Sequence, residues 1–203
     1  RAIGLAVPEI VLVRLDPELA RLEPDPEIQD LIRWSAGLNL GLDYLPGALG
    51  FDPLVDPLEP ALASRILWFD ALVDNVDRSV RNPNMLVWHE RLWLIDHGAS
   101  LYFHHGRSDW ERATHKPYAM ARQHVLLPFA ASLSKADAAL AAMLTPETVR
   151  GVVGLVPDEW LNDEPGFEDA EAVRSAYVGH FLARLEEPRD WVVALEEAHA
   201  RTF

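Results

Sequence analysis

Short stretches of alternating or periodic apolar residues predict strands in the first half of the chain and helices in the second. Residues 7–15 alternate and contain several β-branched side chains, which predicts a strand. Residues 16–18 and 25–27 both read Asp-Pro-Glu, and this order of N-cap, first helical position and acidic first turn predicts two helix starts. The glycine-containing residues 37–47 lack G-x-G-x-x-G spacing, so we interpret them as a short strand and turn between two lobes.

A helix followed by a hairpin is predicted in the middle of the chain. Residues 59–73 have an apolar residue at every third or fourth position, which predicts a helix: these are Leu62, Ile66, Phe69 and Val73. Two apolar stretches, residues 84–88 and 92–95, flank the polar residues 89–91. This arrangement is typical of a tight β-hairpin.

The remainder of the chain is predicted to be mostly helical. Ser134 and Asp137 resemble a capping box before an apolar stretch, and Thr145 precedes a Pro-Glu pair that favours a second start. Residues 169–187, and the segment that begins at Pro188, carry apolar residues at helical spacing. The predicted fold class is therefore α+β, with most of the helix in the second half.

The composition predicts a soluble globular protein. The chain has 203 residues, of which 49% are hydrophobic and 25% are charged, enough for one large domain or two small lobes. No apolar run approaches the roughly 18 residues that a membrane helix needs, so no membrane partner is expected. The absence of Cys excludes disulfides and thiolate metal sites, and it suits the cytoplasm, the location that we expect.

The charge of the chain restricts its partners. A net charge of −14 argues against general binding to nucleic acid or to anionic membranes. The basic residues are 16 Arg and only two Lys, Lys116 and Lys135. An acidic protein that handles phosphate needs local cations, and a divalent metal ion held by carboxylates is one way to provide them.

Three polar side chains have the types and the order of a phosphotransferase site. Asp77 and Asn82 are five residues apart just after the predicted helix, and Asp96 directly follows the apolar residues 92–95. Phosphoryl transfer needs a carboxylate that orients or deprotonates the acceptor hydroxyl, and oxygen ligands for Mg²⁺ on the nucleotide. We interpret Asp77 as that carboxylate, and Asn82 and Asp96 as the metal ligands.

Other interpretations of these residues stay open. The pattern Asp-x-x-x-x-Asn alone is more often a solvated loop, although an Asp directly behind an apolar strand is costly unless it has a partner. Asp96, His97 and the adjacent His104 and His105 could form a transition-metal site, but adjacent side chains point apart and seldom bind one ion.

Neighbouring polar and aromatic residues have structural interpretations. Asn75 and Arg81 could bind phosphate or hold the loop in place, and we favour the second role. The acidic residues 163–171 predict a solvated loop and the start of a helix. Four tryptophans at apolar spacings are predicted to lie in the core: Trp68, Trp93, Trp160 and Trp191.

Residues 68–103, with the sequence WFDALVDNVDRSVRNPNMLVWHERLWLIDHGASLYF, resemble the HipA-like kinases, which are related to the phosphatidylinositol 3- and 4-kinases. These families share an Asp-x-x-x-x-Asn catalytic loop followed by a strand and a metal-binding Asp. A weaker similarity extends through residues 5–46. The resemblance implies a protein-kinase-like α+β fold: residues 1–52 form the end of the small lobe and the linker, and residues 53–203 form the helical lobe with a short β-hairpin and the catalytic loop.

The resemblance also implies an activity and roles for individual residues. Asp77 matches the catalytic Asp, while Asn82 and Asp96 match the ligands of the Mg²⁺ that accompanies ATP. Arg78 matches the Asp-Arg-His start common in lipid kinases, but Ser79 departs from it and weakens a claim to lipid substrates. The implied protein is a bacterial cytoplasmic kinase that transfers phosphate from Mg-ATP to a hydroxyl acceptor, which we expect to be a protein Ser or Thr, with a small molecule as the other possibility.

The Lys with which the family contacts the phosphates does not occur in the residues before Asp77. Kinases of this group cover the phosphates with a turn in the small lobe and contact them with a Lys, yet no Lys precedes Asp77. We expect these parts to precede Arg1, because the sequence starts in the middle of a domain and because the first strand would otherwise lack sheet partners. Two alternatives are a pseudokinase that binds nucleotide or regulates a partner without turnover, and a metal-dependent phosphohydrolase that uses Asp96 and His97.

Overall fold

Residues 1–106 and 113–202 are described by a computed structural model. Their contacts divide into two compact units: the smaller is Val7–Gly47, and the larger combines Arg1–Ala6 with the chain from Ala48 onward. Helices occur together with small antiparallel sheets, so the predicted α+β class is confirmed. None of the helices in the described ranges has the length and apolar character needed to span a bilayer.

The smaller unit contains a two-stranded antiparallel ribbon. Strand β1 (Ile10–Leu15) pairs along its whole length with β2 (Gly37–Leu42). The strand begins later than residue 7, in keeping with Pro8, which has no amide hydrogen to donate to a ladder. The expectation that this strand lacks a sheet partner is wrong, because the predicted short strand in residues 37–47 supplies one.

Two short helices connect the strands of the ribbon. A 3-10 helix spans Pro17–Leu22 and helix α1 spans Pro26–Trp34. Both begin as predicted, since Asp16 and Asp25 each accept a hydrogen bond of 2.9 Å from the backbone N–H two residues later. These caps satisfy one of the amide groups that every helix start leaves without an internal partner.

The larger unit contains a three-stranded antiparallel sheet in the order β3-β4-β5. The strands are β3 (Leu49–Gly50), β4 (Met85–Trp88) and β5 (Arg91–Leu94). His89 and Glu90 connect β4 to β5 with φ values of 48° and 58°. Two consecutive residues with positive φ are the geometry of a tight hairpin turn whose twist suits the flanking strands. The predicted hairpin is confirmed.

Helix α2 (Pro60–Leu72) is the central helix of the larger unit. Five of its apolar residues are at most 1% exposed: Ala63, Ile66, Leu67, Trp68 and Ala71. Because Ser64 and Asp70 are buried as well, the helix is enclosed on several sides and not only on the predicted apolar face. Among the described residues, further helices include α3 (Leu133–Met143), α4 (Pro146–Val153), α5 (Ala170–Leu185) and α6 (Asp190–Ala200).

The tryptophans occupy different environments. Trp68 and Trp191 are 0% and 2% exposed, and their ring centroids lie 5.4 Å apart, so both are core residues as predicted. Trp93 is half-buried at the edge of the hairpin. Trp160 is 38% exposed, so the core prediction is wrong for this residue, which lies on a short 3-10 turn.

The capping box predicted from Ser134 and Asp137 is wrong. Helix α3 starts directly after its N-cap, Ser132, whose side chain accepts a backbone hydrogen bond. Asp137 lies inside the helix, where its carboxylate accepts hydrogen bonds of 2.8 Å from the Trp68 indole and from the Arg189 guanidinium. The carboxylate therefore joins separate helices instead of starting its own.

Candidate active site

Buried polar side chains fix the loop that follows α2, residues 73–84, here called the motif loop. Asp74 turns the chain out of the helix with a φ of 49°. Asn75 is 0% exposed, donates through Nδ2 to Asp70 Oδ1 at 2.9 Å, and accepts through Oδ1 from the Asp77 amide at 3.1 Å. The Tyr118 hydroxyl donates to the Asn75 carbonyl. Asn75 therefore holds the loop, as predicted.

Asp70, near the end of α2, is the centre of a buried ionic network. Its carboxylate accepts hydrogen bonds from Arg78 Nε at 2.6 Å and from His124 Nε2 at 3.0 Å. Burial alone would raise the pKa of Asp70, but the charge of Arg78 and the hydrogen bonds from His124 and Asn75 outweigh burial and hold the pKa at about 2. Asp70 is therefore ionised, and its charge is balanced inside the core by the 1% exposed Arg78.

The carboxylate of Asp77 is held at one of its two oxygens. Asp77 Oδ2 accepts from Asn82 Nδ2 at 2.8 Å and from Asn84 Nδ2 at 3.2 Å. Within the described part of the chain, Asp77 Oδ1 has no hydrogen-bond partner. The structure thus brings Asp77 and Asn82 into contact and leaves one oxygen of the half-buried Asp77 for another group.

Asp96 lies just after β5, and its side chain is exposed. Its backbone has a φ of 49°, and its Oδ1 accepts a long hydrogen bond of 3.4 Å from the Gly98 amide. The preceding residue, Ile95, donates its amide to the Asn84 carbonyl at 3.0 Å, which joins the end of β5 to the motif loop. Across residues 1–106 and 113–202, no hydrogen bond joins the Asp96 carboxylate to the other two predicted site residues.

His97 contacts the same arginine that pairs with Asp70. Its Nε2 lies 3.2 Å from Arg78 Nη2, and because a guanidinium can only donate, this ring nitrogen accepts. Burial, followed by the charge of Arg78, lowers the pKa of His97, which favours the neutral ring. The ring also packs edge-on against Phe69, with 5.9 Å between centroids.

A comparison with protein families identifies the chain. The family model described as HipA-like kinase matches residues 1–194. The chain belongs to the HipA-like kinase family. No curated protein and no solved structure matches it. The resemblance drawn from residues 68–103 is therefore confirmed, and membership of a kinase family implies ATP and a divalent metal ion as ligands.

The predicted metal ligands of this HipA-like kinase are chemically suited to a hard cation. Asn82 is exposed and uses only Nδ2 in the contact with Asp77, which leaves its Oδ1 for a ligand. The Asp96 carboxylate is exposed and has only the long contact to Gly98. Mg²⁺ prefers such oxygens and usually keeps several waters, so few protein ligands are needed. In the described ranges, no three His, Cys, Asp or Glu side chains form a metal cluster.

The histidines near the kinase motif have protein partners, which disfavours a transition-metal site. His97 Nε2 is used in its contact with the buried arginine. His104 Nε2 lies 3.2 Å from the Glu164 carboxylate, and its Nδ1 lies 2.9 Å from the Tyr177 hydroxyl. The side chain of His105, also part of that alternative, lies outside the described residues.

Several residues around the kinase motif were missed or misjudged in the sequence. An Asp inside an apolar helix must have a partner when it is buried. The position of Asp70 therefore predicts a partner, but the sequence does not show that this partner is His124, which lies 54 residues away. Asn84 carries no signal beyond its closeness to Asn82. Arg81 is exposed and makes no hydrogen bond or ion pair within residues 1–106 and 113–202, so its predicted role in holding the loop is wrong.

Proposed function

We propose that this HipA-like kinase transfers the γ-phosphoryl group of ATP to a hydroxyl group, with Asp77 as the catalytic carboxylate. In this reaction the acceptor oxygen bonds to the γ-phosphorus, the bond between that phosphorus and the bridging oxygen breaks, and ADP leaves. The hydroxyl proton passes to Asp77 Oδ1. Asn82 and Asp96 would hold a divalent ion, which would compensate the charge on the phosphates.

The observation that carries this proposal is the arrangement of hydrogen bonds around Asp77. Two neutral amide groups, from Asn82 and Asn84, donate to Oδ2 and fix the orientation of the carboxylate. Both donors bind Oδ2, so Oδ1 keeps the lone pairs that a proton acceptor needs.

The acceptor class is proposed from family membership and not from the geometry of the site. We propose a protein Ser or Thr, because this acceptor is expected of HipA-like kinases. A nucleic-acid partner is not proposed, since the chain carries a net charge of −14.

The test compares two exposed aspartates that both have left-handed backbone conformations. Asp96 has a φ of 49° and Asp163 has a φ of 64°, so an Asn replacement is sterically equivalent at both positions. We expect Asp96→Asn to lower the rate of ADP formation from ATP by about 100-fold or more, as for loss of a metal ligand, and to abolish Mg²⁺-dependent ATP binding in calorimetry. The Asp163→Asn variant should match the wild type. Equal rates and affinities for Asp96→Asn and the wild type would overturn the proposal.

The pseudokinase alternative is favoured by one feature of the sequence, the lack of Lys in residues 1–76. It predicts ATP binding that depends on Mg²⁺ and on Asp96, with no ADP formed. It also predicts that Asp77→Asn leaves binding intact and changes no rate, whereas an active kinase loses turnover in that variant while ATP still binds.

A further inference from the structure

The guanidinium of Arg78 contacts residues adjacent to both of the proposed metal ligands. Through Nη1 it donates to the carbonyl of Pro83, the residue after Asn82, at 3.1 Å, and to the carbonyl of Asn84. Through Nη2 it donates to His97, the residue after Asp96, at 3.2 Å. One planar group therefore lies between the two segments that carry the ligands.

The Arg78 guanidinium is itself held in place by a buried side chain. Its Nε donates to Asp70 Oδ2 at 2.6 Å, and both side chains are 0% exposed. Asp70 belongs to α2 and also accepts from Asn75 and His124. Because the fork of a guanidinium has a rigid geometry, fixing Nε on α2 also fixes the directions in which the two other nitrogens donate.

The backbone at Asp96 needs such support. Its φ of 49° is in the left-handed region, where an Asp is less stable than in an extended or helical conformation. The side chain is exposed, and its long contact to the Gly98 amide restrains it weakly. On the amino-terminal side of Asp96, Ile95 donates its amide to the Asn84 carbonyl. On the carboxy-terminal side, His97 accepts a hydrogen bond from Arg78.

We propose that His97 is a positioning residue that acts through Arg78 to hold Asp96 at a fixed place relative to Asn82. The role rests on the proposed function, because it presumes that Asp96 and Asn82 share one divalent ion. It requires a hydrogen-bond acceptor at position 97 and not an imidazole as such. Outer contacts of this kind typically change metal affinity by about 10- to 100-fold when they are removed.

A matched pair of substitutions tests this role. His97→Gln keeps an acceptor, since its side-chain oxygen can take the hydrogen bond from Arg78, whereas His97→Leu has a similar size and no acceptor. The probe is Mn²⁺ with a non-hydrolysable ATP analogue, followed by the loss of the free Mn²⁺ signal in electron paramagnetic resonance. We expect His97→Leu to weaken Mn²⁺ affinity by about tenfold or more, and His97→Gln to recover most of this loss. Affinity for the analogue without metal should be equal in both variants.

The controls separate this inference from the proposed function. If Asp96→Asn abolishes Mn²⁺ binding while His97→Leu binds as the wild type does, the positioning role is wrong and the proposed function stands. Equal weakening in His97→Gln and His97→Leu also overturns the role, because the acceptor would then not matter. If the wild type binds no Mn²⁺, or if Asp96→Asn binds it normally, the proposed function fails and the positioning role fails with it.

Discussion

Arg184 should be among the most important polar residues for the stability of the larger unit. It is 3% exposed, and its guanidinium donates to the carbonyls of Ala71 at 2.7 Å and Leu72 at 3.1 Å, which end α2. It also donates to the carbonyls of Thr114 at 2.9 Å and Lys116 at 3.1 Å. A cation at the carboxy-terminal end of a helix is favourable because it compensates the helix dipole and the free carbonyls.

The size of the effect follows from these contacts. Hydrogen bonds that involve a charged group contribute about 1.5–3 kcal/mol each, and Arg184 makes four of them. Part of this sum is offset by the several kcal/mol that burial of a charged group costs. Arg184→Met keeps the aliphatic packing and removes the charge, so we expect a net loss of about 3–5 kcal/mol in the free energy of unfolding.

Urea unfolding followed by circular dichroism measures this loss. The matched control is Arg201→Met, since Arg201 pairs with Glu197 on the surface of α6 and both side chains are more than 60% exposed. That variant should stay within about 0.5 kcal/mol of the wild type. A loss below about 1 kcal/mol for Arg184→Met would refute the reasoning, because it would mean that water replaces the guanidinium at little cost.

Two further predictions concern pH and salt. Burial, followed by the charge of Arg184, lowers the pKa of His180 to about 4, so the unfolded chain, with a His pKa of about 6.5, binds more protons between these values. Titration of His180 should therefore leave the free energy of unfolding unchanged above about pH 6.5 and lower it by up to roughly 3 kcal/mol as the pH approaches about 4. In urea titrations, His180→Gln should make the free energy of unfolding less dependent on pH, and an unchanged dependence would contradict the assignment. The exposed Arg81 adjoins Asn82, so Arg81→Gln should weaken ATP binding about two- to fivefold at low salt, and the difference should shrink at high salt; equal affinity at low salt would exclude contact with phosphate.

Local patterns were sufficient to predict the elements that position the site. The helix before the motif loop and the hairpin after it follow from spacing and turn residues within about 15 residues of sequence. The role of Asn75 could also be predicted, since a buried amide next to a helix end commonly holds a turn. These features depend on neighbours in the chain, which the sequence displays directly.

The partners of the buried polar residues could not be predicted, because they are distant in the chain. The spacing of Asp137 predicts a cap, yet its carboxylate contacts Trp68 and Arg189, which are 69 and 52 residues away. Asp70 has the same property through His124. A carboxylate inside a helix has similar sequence surroundings whether it caps, pairs or faces solvent, and only the packing of the helices decides between these outcomes.

The buried arginines suggest how an acidic chain can form a phosphate-handling site. Arg78 belongs to the motif loop and donates to Asp70 and to loop carbonyls, and Arg184 donates to the carbonyls at the end of α2, which precedes the loop. Their charges therefore hold the loop in place and are not available to a nucleotide. Near the motif, the residues of the described ranges that remain for phosphate compensation are therefore the exposed Arg81 and the oxygen ligands Asn82 and Asp96, which would act through a divalent ion.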